Sequence, residues 1–137
     1  MHCPKHVIVP CGVRQGGVIS PGLFNVFINV FITHLRSLQV GCHLNGLFLG
    51  CLFYADDIVL LSPSVSGLQS MLDSCVATAD MLSLKFNPLK SHCIALGKVA
   101  WSDLPPLLLD GFPIHYSGFL QLNILEFMLL MNASQDV

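Results

Sequence analysis

Two adjacent carboxylates, Asp56 and Asp57, interrupt the apolar stretch FYADDIVLLSP at residues 53–63. A plain core strand does not need them, since an unpaired carboxylate is costly to remove from water. Carboxylate oxygens are ligands for hard divalent cations such as Mg²⁺, and two such ions can stabilise both oxygens of an in-line phosphoryl transfer. The pair alone is weak evidence for such a site, because aspartate is also a common turn residue.

The carboxylate pair lies between two apolar, partly β-branched runs, residues 47–54 and 58–61. This pattern predicts a β-hairpin with Ala55, Asp56 and Asp57 at its tip. A tight turn can present successive carboxylates at the same end of a sheet. Neither run alternates cleanly between apolar and polar residues, so we expect both faces to be covered, one by helices and the other by a partner or a ligand.

Two helices are expected to support the hairpin. Ser20 as N-cap and Pro21 at the first helical position predict a helix that runs to about Gln39 and stops before Gly41. Its inward-facing residues are expected to be Leu23, Phe24, Phe27, Val30, Phe31 and Leu38.

The second helix is expected to start at residues 66–69, whose serine and glutamine have capping-box spacing. The apolar residues that recur at helical spacing from there are Leu68, Met71, Leu72, Cys75, Ala79 and Leu82. Asn87 and Pro88 predict a turn, and residues 92–96 a strand. Beyond Lys98 the pattern weakens: residues 112–116 predict a short strand, and the last twenty residues show no clear period.

Composition limits the class of protein. The 137 residues suffice for one domain, yet 53% are hydrophobic and only 10% charged. Such a chain is expected to be a membrane protein or part of a larger assembly. Polar residues interrupt every long apolar span, and the N-terminal apolar run is too short for a signal peptide, so we expect an intracellular protein that lies in no membrane, in the nucleus or the cytoplasm. The six cysteines are then expected to be thiols.

Three segments together resemble the reverse transcriptase family, specifically the enzymes of LINE-type non-LTR retrotransposons. They are GVRQGGVISPGLFN at residues 12–25, FYADD at 53–57 and LSLKFNPLKSHCIAL at 82–96. Their order and spacing suit the family over roughly residues 6–98. The resemblance implies an α+β fold, a partial polymerase palm with a small antiparallel sheet and helices packed on one face. Residues 99–137 are expected to be a divergent segment with no assigned domain.

The resemblance also implies the roles of individual residues. Asp56 and Asp57 would hold Mg²⁺, or Mn²⁺, and act in catalysis together with Lys90, whose cation would assist the leaving pyrophosphate. Nucleotide and template would be bound by Arg14, Gln15, Gly16 and Tyr54. Structural alternatives stay open: a solvated loop for Arg14 and Gln15, a strand-end tyrosine for Tyr54 and a surface lysine for Lys90.

The implied partners are an RNA template, a DNA primer and a deoxynucleoside triphosphate, and the implied reaction is nucleotidyl transfer to the primer 3′-hydroxyl. The family has a further aspartate upstream of Gly12, and the chain has no counterpart to it. Fingers and thumb are also expected to be missing, and six basic residues against eight acidic ones are few for a nucleic-acid-binding protein. We therefore expect little activity from this chain alone.

The alternative is a non-catalytic, retroelement-derived protein that binds another protein or itself through exposed apolar surface.

Overall fold

The structure, a computed structural model, describes residues 20–54, 57–96, 104–120 and 126–134. Arg14, Gln15, Gly16 and Asp56 lie outside these residues. The elements, in chain order, are helix α1 (Ser20–Ser37), strands β1 (His43–Leu44), β2 (Leu47–Phe48), β3 (Cys51–Tyr54) and β4 (Asp57–Ser62), helix α2 (Val65–Met81), strand β5 (Lys85–Phe86), a 3₁₀ turn (Pro88–Lys90), and strands β6 (His92–Leu96), β7 (Leu107–Leu109), β8 (Phe112–Leu120) and β9 (Glu126–Ser134).

Helix α1 spans Ser20–Ser37, so it includes Ser20, one residue before the predicted first helical residue, Pro21, and it ends before the predicted end. Gln39 has φ 53°, a left-handed conformation that ends a helix, so the stop precedes Gly41. The predicted inward position of Leu38 is therefore wrong, and this side chain is 37% exposed. Phe31 is buried as predicted, and Leu35, four residues later on the same face, is a buried residue that the prediction missed.

Helix α2 is capped by Ser64, so the capping box predicted at Ser66 is wrong. Ser64 has extended backbone, and its hydroxyl accepts a hydrogen bond from the Gly67 N–H at 3.1 Å. Ser66 lies inside the first turn. The predicted apolar face is confirmed, since Leu68, Met71, Leu72, Cys75 and Ala79 are buried.

The run at residues 47–54 is not one strand, because the chain bends at residues 49–50 between β2 and β3. A Cβ atom at Gly50 would clash with the ring of Phe48, so a larger residue here would have to displace that ring. Asn45 and Gly46 both have positive φ and join β1 to β2 as a tight hairpin. The second run is longer than predicted, and Asp57 is already part of β4.

The main sheet has seven strands in the order β3-β4-β9-β6-β8-β7, with β5 paired to β9. All described pairings are antiparallel except that of β6 with β8. This confirms the α+β class, although the sheet contains one parallel pair that was not expected. The segment without a clear period supplies β9, which lies between β4 and β6. The domain boundary at residue 98 stays a prediction.

Both helices pack on one face of the sheet. Ile58 and Leu60 of β4 and Cys93 and Ala95 of β6 are buried on that face against α2 and α1. Phe31 of α1 makes ring contacts there, with Phe53 at 6.1 Å and with Phe86 at 6.2 Å between centroids. Residues between these, such as Leu52 and Tyr54, lie on the opposite face and are exposed. We call this second surface the open face.

Two side-chain contacts tie α2 to its neighbours. The Thr78 hydroxyl donates to the Ser74 carbonyl at 2.8 Å, and it also lies within hydrogen-bond distance, 2.9 Å, of the imidazole Nδ1 of His34 on α1. Gln69 bonds both backbone groups of Leu108: its Nε2 donates to the Leu108 carbonyl at 2.8 Å, and its Oε1 accepts from the Leu108 N–H at 2.9 Å. Gln69 thus closes the outer edge of β7.

Candidate functional site

Tyr54 and Asp57 are register partners at the end of the β3–β4 hairpin. Two residues, 55 and 56, connect the strands, so the predicted hairpin is confirmed with a tip one residue shorter than expected. Partners in an antiparallel pair share a face of the sheet. Tyr54 is 83% exposed and Asp57 is half-buried, and both lie on the open face. The sequence therefore brings an aromatic ring and a carboxylate together at one end of the sheet.

Strand β9 extends this row of residues, because Asn132 is the register partner of Asp57 on its other side. Adjacent strands are about 5 Å apart, so Tyr54, Asp57 and Asn132 occupy three neighbouring positions on the open face. Sequence reasoning missed Asn132, since the segment around it carries no clear strand period.

The donor chemistry of the hairpin suits a hard divalent cation. Asp57 offers carboxylate oxygens, and Asp56, the preceding residue in the chain, would add a second carboxylate. Within the described ranges, no group of three or more His, Cys, Asp or Glu is placed to hold a metal ion. Mg²⁺ is commonly held by one or two carboxylates together with water and substrate phosphates.

Lys90 lies in the 3₁₀ turn that leads into β6, and its side chain is exposed. His92, two residues later, is the register partner of Leu130, which in turn pairs with Val59. Because Lys90 precedes β6, this register places it at the same end of the sheet as Asp57.

A second lysine near the hairpin was missed by sequence reasoning. Lys85 pairs with Ser134 of β9, two residues beyond Asn132, so it shares the open face with Asp57. Its neighbour Phe86 lies on the helix face, where its ring contacts Phe31. The alternation of Lys85 and Phe86 was visible in the sequence, but the strand is only two residues long. Lys85 and Lys90 are both exposed and add positive charge at the hairpin end.

The predicted nucleotide-binding loop cannot be compared with this geometry, because Arg14, Gln15 and Gly16 lie outside the described residues. Their predicted roles stay predictions. The same holds for Asp56, which also lies outside the described residues.

The buried thiols belong to the core. Burial raises the pKa of Cys75 and of Cys93 to about 12, and it raises the pKa of Cys51 although the Arg36 guanidinium lowers it in part. None of these three thiols forms a disulfide. Burial and the nearby Cys93 also raise the pKa of the Tyr116 phenol to about 12. These groups stay protonated at neutral pH and therefore do not supply nucleophiles or metal-ligating thiolates there.

The family model for reverse transcriptase (RNA-dependent DNA polymerase) matches residues 2–120, which include the hairpin and both lysines. The chain belongs to the reverse transcriptase family. Members of this family are in general divalent-metal-dependent polymerases that act on a nucleic-acid template and primer. No solved structure matches the chain significantly. Among the described residues, no helix is long and apolar enough to cross a membrane.

Curated relatives of this reverse transcriptase chain are proteins of R2 elements. It is 36% identical over 85 residues to the Retrovirus-related Pol polyprotein from type-1 retrotransposable element R2 of Nasonia vitripennis, an alignment that covers 62% of this chain and 8% of that protein. It is 33% identical over 86 residues to the polyprotein from type-2 retrotransposable element R2DM of Drosophila melanogaster, covering 63% of this chain and 8% of the relative. The predicted resemblance to non-LTR retrotransposon enzymes is confirmed.

Proposed function

We propose that this chain is the palm portion of an R2-like reverse transcriptase and that the hairpin end of its open face receives the primer and template. The supporting observation is the register of Tyr54 and Asp57 at the end of an exposed sheet face, in a chain of this family. Tyr54 would contact the bound duplex through its exposed ring, since aromatic rings stack on bases and sugars without sequence preference.

The carboxylates of Asp56 and Asp57 would hold Mg²⁺, with Mn²⁺ as a substitute, because hard oxygen ligands suit both ions. A bound divalent ion would supply positive charge to the phosphate oxygens at which the new bond forms. Lys90 would lie near the triphosphate and stabilise or protonate the leaving pyrophosphate. Arg14, Gln15 and Gly16 would line the nucleotide and template side.

The two exposed lysines at the hairpin end of the sheet make a testable contribution to nucleic-acid binding. Lys85 and Lys90 are exposed at the hairpin end, while the chain as a whole carries a net charge of −2. Each phosphate contact that a lysine makes steepens the salt dependence of binding. Lys85→Ala and Lys90→Ala should each reduce that slope by about one for a primer–template duplex. An unchanged slope in both variants would argue against this face as the duplex-binding surface.

The polypeptide of residues 1–137 is proposed to lack polymerase activity alone. Residues 1–55 contain no Asp or Glu, so this polypeptide supplies no carboxylate before Asp56 that could bridge two metal ions. Primer extension on an RNA template with Mg²⁺ and deoxynucleotides tests this, with and without a separately expressed fingers fragment that carries the upstream aspartate. The expected result is extension only with the fragment.

Substitutions make the primer-extension test specific to the hairpin. Asp56→Ala and Asp57→Ala should each abolish the complemented activity. Asp80→Ala, which removes an exposed carboxylate on α2 away from the open face, should leave it unchanged. Extension that survives Asp56→Ala and Asp57→Ala would overturn the proposed role of the hairpin, and strong extension by residues 1–137 alone would overturn the proposed inactivity.

A second candidate is a non-catalytic protein that associates with itself or another protein through apolar surface. The observation that favours it is the exposure of Leu44, Leu47 and Leu52, each more than half exposed. Sedimentation across a concentration series distinguishes the two. A duplex-binding palm should bind nucleic acid as a monomer, whereas an interaction protein should self-associate without nucleic acid, and Leu52→Ser should then reduce that association.

A further inference from the structure

Two histidines, His92 on β6 and His115 on β8, are register partners in the parallel pairing of the sheet. Partner positions on adjacent strands lie about 5 Å apart. The chain neighbours of these histidines, Cys93 and Ile114, are buried on the helix face, so both histidines lie on the open face. Both side chains are exposed. The fold therefore places two imidazoles side by side, although they are far apart in the sequence.

The backbone that carries this histidine pair is held on both sides. Strand β6 pairs with β9 on its other edge, and β8 pairs with β7. The next pair along, Cys93 and Tyr116, stays in register, and the irregularity in this pairing follows only after Cys93. The Tyr116 hydroxyl donates to the Pro105 carbonyl at 2.8 Å, which attaches β8 to the segment that precedes β7. Strand pairing thus fixes the two histidine positions relative to each other before any ligand binds.

Hydrogen bonding distinguishes this pair from the other described histidines. The Nδ1 atoms of His34 and His43 lie 2.9 and 3.1 Å from hydrogen-bond partners within the protein. Within the described ranges, no side-chain hydrogen bond occupies His92 or His115. The ring nitrogens of this pair are therefore available to an external ligand.

Two imidazoles on adjacent strands suit a transition-metal ion. An imidazole nitrogen binds Zn²⁺ at about 2.0–2.1 Å, and two side chains that start about 5 Å apart can reach one ion together. Zn²⁺, Cu²⁺ and Ni²⁺ accept imidazole ligands, whereas Mg²⁺ prefers oxygen. Among the described residues no third His, Cys, Asp or Glu joins the pair. Water or another oxygen ligand would therefore take the remaining positions around the ion.

We propose that His92 and His115 form a Zn²⁺-binding site on the open face, in which each imidazole supplies one nitrogen. The site differs in its ligands from the hairpin carboxylates, which suit Mg²⁺. It does not rest on the proposed binding of nucleic acid, because the two histidines are the only ligands that it requires from the protein.

The test uses the full chain, labelled with ¹⁵N at histidine and titrated with buffered Zn²⁺. Nuclear magnetic resonance follows the imidazole signals of each histidine separately. We expect the signals of His92 and His115 to shift over the same range of Zn²⁺ concentration. Those of His34 and His43, whose Nδ1 atoms already have partners, should not shift in that range and serve as internal controls.

Substitutions distinguish a shared ion from two separate contacts. His92→Gln should raise the Zn²⁺ concentration that shifts His115 by about tenfold or more, since loss of a ligand costs at least as much as loss of a group that only orients one. His115→Gln should have the same effect on His92. His43→Gln, which removes another exposed histidine, should change neither. An unchanged His34 signal shows that each variant is folded, because His34 is held at the α1–α2 contact.

Three results would overturn the proposal. The first is that Zn²⁺ shifts neither His92 nor His115. The second is that the two respond over different concentration ranges, and the third is that His92→Gln leaves the response of His115 unchanged. Each of these results concerns Zn²⁺ alone and leaves the duplex-binding and primer-extension tests of the proposed function unaffected.

Discussion

Tyr54 and Asp57 lie directly opposite each other across the two-residue connection of the β3–β4 hairpin, on the face of the sheet that the helices leave open. Because the ring of Tyr54 is 83% exposed, it contributes little to the folded core. Asp57 is the first residue of β4, and on its other side it pairs with Asn132 of β9. Strand pairing therefore holds the backbone of this residue pair, while the side chain of Tyr54 is exposed and can contact a ligand.

Tyr54→Ala should separate binding from stability. We expect the free energy of unfolding to change by no more than about 0.5 kcal/mol, since an exposed side chain is removed. Binding of a primer–template duplex should weaken by about 1 kcal/mol if the ring stacks on nucleic acid. Denaturant unfolding and fluorescence anisotropy measure the two quantities. Leu44→Ala, another exposed apolar truncation, serves as the control and should change neither. Unchanged duplex affinity in Tyr54→Ala would contradict the proposed contact.

Leu60→Ala should destabilise the protein by about 2–5 kcal/mol, because it leaves a cavity between the sheet and the helices. Leu60 is completely buried, whereas Leu89 in the 3₁₀ turn is 91% exposed. The same truncation at Leu89 should cost less than about 0.5 kcal/mol. Urea unfolding followed by circular dichroism measures both. Equal effects at the two positions would mean that the sheet does not pack against the helices as described.

Gln69→Ala should destabilise the β7 edge by about 1–3 kcal/mol, since it removes two hydrogen bonds and leaves the Leu108 N–H and carbonyl without these partners. Hydrogen exchange of the Leu108 amide should accelerate together with the loss of stability. Asp73→Ala is a matched control, because it removes only the acceptor of the 2.8 Å bond from Gln69 Nε2. It should cost less than Gln69→Ala. Unaltered exchange at Leu108 in the Gln69 variant would argue against the edge contact.

Stability should fall as the pH rises above about 9. The thiols of Cys75 and Cys93 have a pKa of about 12 in the folded protein and 9.0 as the unperturbed value. Between these values the unfolded chain loses thiol protons that the folded chain retains, so the free energy of unfolding decreases with pH. The slope is at most about 1.4 kcal/mol per pH unit for each thiol.

Denaturant unfolding between pH 8 and pH 11 measures this slope. Cys75→Ala removes one of the two thiols and should flatten the curve relative to the parent chain, whatever its stability at pH 8. Identical slopes in the variant and the parent would mean that Cys75 is not protected from ionisation by the fold.

Local sequence determined much of the site. The apolar face of α2, the β3–β4 hairpin and strand β6 follow from periodicity and turn chemistry that act over a few residues, and α1 starts within one residue of its predicted start. The three motifs were sufficient to identify the family, which the family match confirms. The errors at Leu38 and Ser66 are small, because a helix end is decided by backbone conformation at one or two residues.

Only the tertiary structure decided what surrounds the hairpin. The segment that forms β9 shows no clear period in the sequence. It lies in the middle of the sheet between β4 and β6, and a strand in such a buried position need not alternate between apolar and polar residues. Its register sets Asn132 beside Asp57 and aligns Lys85 and Lys90 at the same end of the sheet. Such positions depend on pairing between residues far apart in the chain, and no local pattern specifies which strand fills the space between β4 and β6.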